Sequence, residues 1–134
     1  MMRVPNMAMD FVASLDVSRW VVMIAIFGLL TILGMFLEVI STMMITLPIL
    51  YPLIISLGFD GIWFAVMVTL VMEMALLTPP VGLNLYVILG ITNASLGDVL
   101  RGVVPFFLIM IAGLLLFAAL PVLSTWLPGM MFVR

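Results

Sequence analysis

The sequence predicts an all-α membrane protein, and three observations support that class. Of the 134 residues, 67% are hydrophobic and 7% are charged, whereas a soluble domain carries about 25% charged residues. Three long tracts, 20–59, 61–97 and 102–133, each contain at most one charged residue. A membrane-spanning helix needs about 20 apolar residues, so every tract exceeds one simple crossing. We therefore expect residues 1–134 to form a single membrane module.

Two residue types are missing, and their absence removes several classes of function. The chain has no cysteine and no histidine, which excludes disulfides, thiolate metal sites and the commonest general base. An intramembrane enzyme is therefore disfavoured, and no cofactor is expected. The net charge is −2, without a basic cluster, which argues against a nucleic-acid partner. The expected surroundings are a lipid bilayer.

The first two elements are an interfacial helix and a hairpin. Residues 5–17 place apolar side chains at helical spacing, which predicts an amphipathic helix in the membrane interface or an ordinary loop helix. A single helix over 20–59 would measure about 60 Å, twice the hydrocarbon thickness. The chain must therefore turn, at the sequence LGMFLEVIST. Two arms of about 16 residues are short for spanning helices, which favours a re-entrant hairpin over two crossings.

Residues 62–91 are predicted to form a transmembrane helix interrupted by the sequence TPPVG. Pro79 and Pro80 have no amide hydrogen and push the residues before them away from helical angles. Several preceding carbonyls then lose their usual partners, and Gly82 permits a sharp turn or a close approach. The carbonyls concerned are those of Ala75, Leu76 and Leu77.

The break is predicted to create a ligand site inside the membrane. Freed carbonyls suit a weakly held monovalent cation, and the helix start beyond the break suits an anion. Secondary transporters build their sites from interrupted helices in this way. A kink that only shapes packing is the alternative. The residues expected to line the cavity, which would hold the substrate, are Thr78, Pro79, Pro80, Gly82 and Asn84.

The remaining features are a connection, a last helix and two acids. Residues 92–101 are a polar connection in which Ser95 or a neighbouring asparagine can cap a helix. Residues 102–127 are predicted to form a final transmembrane helix. An ionisable residue within a membrane segment is a candidate for function. Glu38, at the predicted hairpin tip, and Glu73, before the break, are therefore candidates for an ionisable role.

In combination, these motifs resemble a known transporter family. The sequence has G-x-F-x-acid at the hairpin tip, P-x-x-x-P in the second arm, and L-x-T-P-P-V-G-x-N at the break. Over residues 20–128 it is similar to the C-terminal part of the DctM-type large permease of TRAP transporters, the tripartite ATP-independent periplasmic transporters. The resemblance implies an elevator-type transporter built from inverted repeats, of which this chain is the second.

The resemblance also implies an activity and its partners. The expected function is sodium-coupled import of organic acids, typically C4-dicarboxylates or sialic acid, across the bacterial inner membrane. A periplasmic substrate-binding protein, a small Q-type permease subunit and the N-terminal part of the large permease are the expected partners. The chain would then be a portion of a longer permease. A structural membrane subunit, an inactive fragment, or a related anion–cation symporter are the alternatives.

Four residues correspond to the family's second sodium site. Gly34 matches the hairpin-tip glycine, and Ala75, Thr78 and Val81 match positions around the Thr-Pro-Pro-Val motif. The family usually has glycine where this chain has Ala75, which leaves a carbonyl ligand but changes how closely the backbone can be approached. Glu38 stands where aspartate is frequent, so the charge is retained.

Overall fold

The computed structural model describes residues 17–131 and Met7, and this part of the chain is all-α. The predicted helix over 5–17 lies outside the described residues, apart from its Met7 and Val17. The all-α class is confirmed for residues 17–131, which contain no strand. The helices are α1 Arg19–Phe36, α2 Val39–Ser56, α3 Gly61–Leu76, α4 Leu83–Ile91, α5 Leu96–Ala119 and α6 Val122–Met131.

Helices α1 and α2 form an antiparallel hairpin that turns at Leu37 and Glu38. The two ends of the hairpin lie together, since the Arg19 guanidinium lies 5.3 Å from the centre of the Phe59 ring and the Trp20 ring lies 5.1 Å from it. Each helix has 18 residues and is long and apolar enough to cross a membrane. The arms are thus longer than predicted, and the re-entrant character of the hairpin stays a proposal.

Helix α3 is the centre of the fold and contacts each of the other helices described. It runs parallel to α1, because Trp20 meets Trp63 near the start of both helices and Gly34 meets Ala75 near the end of both. The side chains between α1, α2 and α3 form one hydrophobic core, which holds the hairpin against α3. Its most buried members are Met23, Leu30, Ile54, Trp63, Phe64, Met67, Val68 and Met72.

The bounds predicted for the last helix are wrong at both ends. The helix α5 begins six residues earlier than predicted, at Leu96, because the Ser95 hydroxyl accepts the Asp98 amide at 3.2 Å and so caps the helix. It ends at Ala119, because Pro121 has no amide with which to continue the helical bonding. A second helix, α6, follows at Val122.

The ends of four helices meet at an aromatic cluster of Trp20, Phe59 and Trp63. Phe59 stacks on Trp63 with ring centres 5.3 Å apart, and Trp20 meets Trp63 edge-on at 6.3 Å. The Trp63 indole N–H donates to the Phe117 carbonyl at 2.8 Å. In a continuous helix that carbonyl would accept the amide of Pro121, which does not exist. The indole therefore replaces the missing backbone donor and ties α3 to the end of α5.

Candidate functional site

Helix α3 ends at Leu76 and α4 begins at Leu83, so the TPPVG sequence falls in an irregular segment, 77–82. Just before the prolines, Thr78 bonds back to the last turn of α3. The Thr78 amide donates to the Ala75 carbonyl at 3.1 Å, and the Thr78 hydroxyl donates to the Met74 carbonyl at 2.7 Å. The expectation that the Ala75 carbonyl is freed is therefore wrong, because the amide three residues later replaces the missing one.

The freed carbonyls lie one residue further along. Among residues 17–131, no amide donates to the carbonyls of Leu76, Leu77 or Thr78. A Cβ atom added at Gly82 would lie 3.0 Å from the Thr78 oxygen and 3.2 Å from the Leu76 oxygen. Two carbonyl oxygens thus converge on one side of Gly82, where they can act together as ligands.

Gly82 has the backbone geometry that the sharp turn requires. Its φ of +54° lies in the left-handed region that L side chains adopt at a cost. Its carbonyl accepts the Leu85 amide at 2.8 Å and so starts α4. Its amide donates to the Met35 carbonyl at 3.3 Å. Gly82 therefore ties the irregular segment to the tip of the α1–α2 hairpin.

A second contact joins the hairpin tip to the end of α3. Gly34 is buried in the last turn of α1, and a Cβ atom there would lie 2.8 Å from the Ala75 Cβ and 3.4 Å from the Met72 sulfur. Glycine is needed at position 34 because alanine now occupies position 75. The structure thus brings Gly34 and Ala75 together, two of the four residues predicted to hold a cation.

The other predicted site residues lie in or just after the irregular segment. Thr78 is half-buried, and because its hydroxyl donates its proton to the Met74 carbonyl, the oxygen lone pairs are not used in that bond. Val81 is half-buried beside Gly82, and Asn84 is half-buried in the first turn of α4. Pro79 and Pro80, joined by a cis peptide bond, are exposed.

The other side of the segment faces α5 across an apolar groove. The groove has a volume of about 220 Å³ and is lined by Leu77, Thr78, Pro79, Leu100, Val103, Val104, Phe107 and Leu108. Because its wall on α5 is entirely hydrocarbon, it suits an apolar side chain or an acyl chain better than a carboxylate. A polar ligand is better served beside Gly82, where the carbonyl oxygens of Leu76 and Thr78 converge.

The two candidate acids occupy different environments. Glu38 is exposed in the turn between α1 and α2, and its two carboxylate oxygens accept the amides of Ile40 and Ser41, each at 2.9 Å. These bonds, that from Ile40 foremost, hold the pKa of Glu38 below its usual range. Glu38 therefore caps α2. Glu73 is exposed near the end of α3, on the side facing away from α1.

Acidic side chains do not form a metal site in this part of the protein. Within residues 17–131, no three acidic residues come close enough together to hold an ion. A cation bound here would thus be held by neutral oxygens. Sequence reasoning missed the Met35 carbonyl and the Gly82 amide as the link between tip and break, since no spacing rule connects residues so far apart.

Comparison with known sequences decides the family. The profile described as "Tripartite ATP-independent periplasmic transporter, DctM component" matches residues 1–123. The chain belongs to the DctM family. The resemblance predicted from the hairpin and break motifs is thereby confirmed. The related anion–cation symporters are no longer needed as an alternative.

Several curated relatives of this DctM-family chain are transport proteins from bacteria. The C4-dicarboxylate TRAP transporter large permease protein DctM of Pseudomonas aeruginosa is 32% identical over 95% of this chain and 30% of its own length. The sialic acid TRAP transporter permease protein SiaT of Haemophilus influenzae is 36% identical over 90% of the chain and 20% of its own length. The 2,3-diketo-L-gulonate TRAP transporter large permease protein YiaN of Escherichia coli is 34% identical over 87% of the chain and 28% of its own length.

Two conclusions follow from these relatives. They are transporter permeases and not enzymes, which confirms the expectation that this chain is not an enzyme. The chain spans at most about a third of their length, since it covers 30% of the Pseudomonas aeruginosa protein. With its long apolar helices, it is an integral membrane protein of the TRAP large-permease family.

Proposed function

We propose that this chain is the C-terminal part of a sodium-coupled large permease that imports organic acids across the bacterial inner membrane. The names of its relatives supply the substrate class, which includes C4-dicarboxylates, sialic acid and 2,3-diketo-L-gulonate. In this proposal a periplasmic binding protein delivers the substrate, and a small Q-type permease accompanies the large one. The N-terminal part of the large permease completes the transport path.

The observation that carries the sodium proposal is the set of carbonyls without donors. An unpaired carbonyl inside a membrane costs several kcal/mol, so it persists where it lines a cavity or binds a ligand. The carbonyls of Leu76 and Thr78 converge beside Gly82, within reach of the hairpin tip. A sodium ion there would be held by these oxygens and by the Thr78 hydroxyl, with Gly34, Ala75 and Val81 shaping the site.

The arrangement of helices supports the rest of the proposal. A hairpin whose tip contacts an interrupted helix is the pattern expected of one repeat in an elevator-type transporter. The hairpin would be re-entrant, and the chain would form the second of two inverted repeats. Half a cavity leaves the carbonyls uncovered, so the isolated chain should not catalyse uptake.

The test is a matched pair of substitutions at Thr78 in a complete permease that contains this segment. Thr78→Val keeps the shape of the side chain and removes the hydroxyl, whereas Thr78→Ser keeps the hydroxyl. Losing one oxygen ligand should cost on the order of 1–3 kcal/mol, or roughly tenfold to a hundredfold in cation affinity. The measurement is the sodium concentration that gives half-maximal uptake in proteoliposomes.

The two variants must differ for the proposal to stand. Thr78→Val should raise the half-maximal sodium concentration, and Thr78→Ser should leave it nearly unchanged. If both variants keep the normal sodium dependence, the break is a packing device. The chain would then act as a structural membrane subunit, which is the alternative that the sequence leaves open.

A further inference from the structure

The outer face of α3 carries a carboxylate without a partner in the described part of the chain. Ala65, Thr69 and Glu73 are exposed and lie one turn apart, opposite to the buried residues of the helix. The Thr69 hydroxyl is bonded within its own helix, to the Ala65 carbonyl at 2.9 Å. Among residues 17–131, no hydrogen bond or ion pair reaches the Glu73 carboxylate. We call these three residues the outer face of α3.

The depth of Glu73 makes its exposure to lipid unfavourable. The start of α3 has the features of a membrane interface, because exposed Asp60 caps the helix and the exposed Trp20 lies beside it. Glu73 follows Asp60 by 13 residues, which is about 20 Å of helix. Since the hydrocarbon layer is about 30 Å thick, the carboxylate lies well inside it, where charged groups are paired or line water.

The outer face of α5 differs in this respect. Beyond Arg101, α5 carries no charged residue, and its exposed side chains are hydrocarbon. Such a face suits lipid without further cover. The outer face of α3 instead combines a carboxylate with the small residues Ala65 and Thr69, which allow a second helix to approach closely. The exposed side chains of α5 include Leu108, Ile109, Leu115 and Leu116.

We propose that the outer face of α3 is buried in the assembled permease. It packs against a helix from the part of the large permease outside this chain, and this helix places an arginine or lysine beside Glu73. The relatives are more than three times as long as the aligned region, which covers 30% of the Pseudomonas aeruginosa permease. A large permease of that length therefore contains further segments that can cover this face. The pairing with a cation follows from charge complementarity, since neither Arg19 nor Arg101, the two arginines among residues 17–131, pairs with Glu73. This inference rests on the proposed function only in treating the chain as part of a longer permease.

The first experiment reads what covers the outer face. The chain has no cysteine, so Thr69→Cys provides a unique attachment point for a spin label, and Ile109→Cys on α5 is the matched control. Each labelled chain is placed in bilayers alone and together with a cysteine-free remainder of its large permease. Collisions with oxygen report exposure to lipid, and collisions with a soluble nickel complex report exposure to water.

The expected result is a change at one position only. The remainder should abolish oxygen contact at position 69 while leaving it unchanged at position 109. Persistent oxygen contact at 69 would show a lipid-facing helix, and nickel contact would show a water-filled cavity. Protection at 69 in the chain alone would show that a second copy covers the face. Each of these three outcomes overturns the proposal.

A second experiment tests the cationic partner. Glu73→Gln keeps the size of the side chain and removes its charge, and should weaken binding of the remainder by about tenfold. Asp98→Asn makes the same chemical change at an exposed acid that already bonds Ser95 at 2.6 Å, and should leave binding unchanged. If the Glu73→Gln variant binds the remainder of the permease as tightly as the natural chain does, the proposed cationic partner is wrong. Both experiments measure association and not uptake. They can therefore contradict this inference while the Thr78 result supports the sodium site, or support it while the Thr78 result contradicts the sodium site.

Discussion

Two regions of this protein are broken by proline, and they differ in how many of the freed carbonyls converge without a donor. In the closed break, at residues 120–121, Pro121 leaves the Phe117 carbonyl without an amide, and the Trp63 indole takes its place at 2.8 Å. In the open break, at residues 77–82, no amide among residues 17–131 reaches the carbonyls of Leu76, Leu77 or Thr78. The Phe117 carbonyl is thus bonded by a side chain, whereas the Leu76 carbonyl, which loses the amide of Pro80, has no amide donor among residues 17–131.

The difference shows how a structural kink can be separated from a ligand site. A proline kink that only shapes packing should end with its carbonyls satisfied, because unpaired backbone in a membrane is costly. At the closed break the Phe117 carbonyl meets this condition through a side chain from another helix. The open break does not, although Gly82 brings two of its carbonyl oxygens together. The oxygens of Leu76 and Thr78 at the open break are therefore available together to a ligand.

The largest effect is expected where the open break meets the hairpin tip. Gly34→Ala puts a Cβ atom 2.8 Å from the Ala75 Cβ, and overpacking of this kind costs about 1–3 kcal/mol. The tip should be pushed away from the break, lowering the thermal stability of the chain and the sodium affinity of the complete permease. Unfolding in detergent and sodium-dependent uptake measure the two effects.

The contact between Gly34 and Ala75 provides a matched control for Gly34→Ala. Adding Ala75→Gly removes the atom that the new methyl group strikes, so the double variant should recover most of the lost stability. Ala75→Gly alone should cost less than Gly34→Ala, because it removes a side chain and adds no overlap. If Gly34→Ala is harmless by itself, the tip and α3 are not in the close contact described.

The next largest effect tests whether the closed break is closed by Trp63. Trp63→Phe keeps an aromatic ring against Phe59 and removes the indole N–H, so the Phe117 carbonyl is left without a donor. An unsatisfied buried group of this kind costs about 1–2 kcal/mol. Thermal unfolding of the chain in detergent should show the loss, whereas the sodium dependence of a complete permease should not change.

A second substitution distinguishes this bond from simple packing. Pro121→Ala restores a backbone amide that can bond the Phe117 carbonyl. In that background Trp63→Phe should cost clearly less than in the natural chain. Equal costs in both backgrounds would mean that Trp63 stabilises the protein through its ring alone. The contrast between the two breaks would then lose its physical basis.

The sequence predicts the helices better than it predicts their ends and the contacts between them. The apolar tracts, the turn near Glu38 and the prolines at 79 and 80 follow from composition and from local backbone rules. The start of α5 was misplaced because the Ser95 cap turns a polar stretch into a first helical turn. The Trp63–Phe117 bond joins residues 54 positions apart, so no local rule predicts it.

The candidate site was predicted in the same uneven way. The sequence identifies the open break as special, but it assigns a free carbonyl to Ala75, which accepts the Thr78 amide at 3.1 Å. Whether a freed carbonyl stays free depends on the amide three residues later and on distant side chains. Neither can be read from the motif, and both become visible once the helices are packed.

The smallest effect is expected at Glu38, and it separates two roles for that residue at the hairpin tip. As a cap, Glu38 stabilises the start of α2 through the amides of Ile40 and Ser41. Its pKa in the folded chain is lowered, so the stabilisation is present above the pKa of the unfolded state and is lost as the pH falls through the folded pKa. The contribution should be small because the carboxylate is exposed.

Glu38→Ala should therefore lower thermal stability slightly at neutral pH, and the difference from the natural chain should disappear in acid. Glu38→Asp retains a carboxylate that can cap the helix and should stay close to the natural chain at both pH values. Sodium-dependent uptake by a complete permease should be nearly unchanged in both variants, since the cap lies in the turn and outside the open break. If Glu38→Ala instead abolishes uptake while its stability is unchanged, the carboxylate acts as an ionisable group in transport. The functional site would then extend from the open break to the tip of the hairpin.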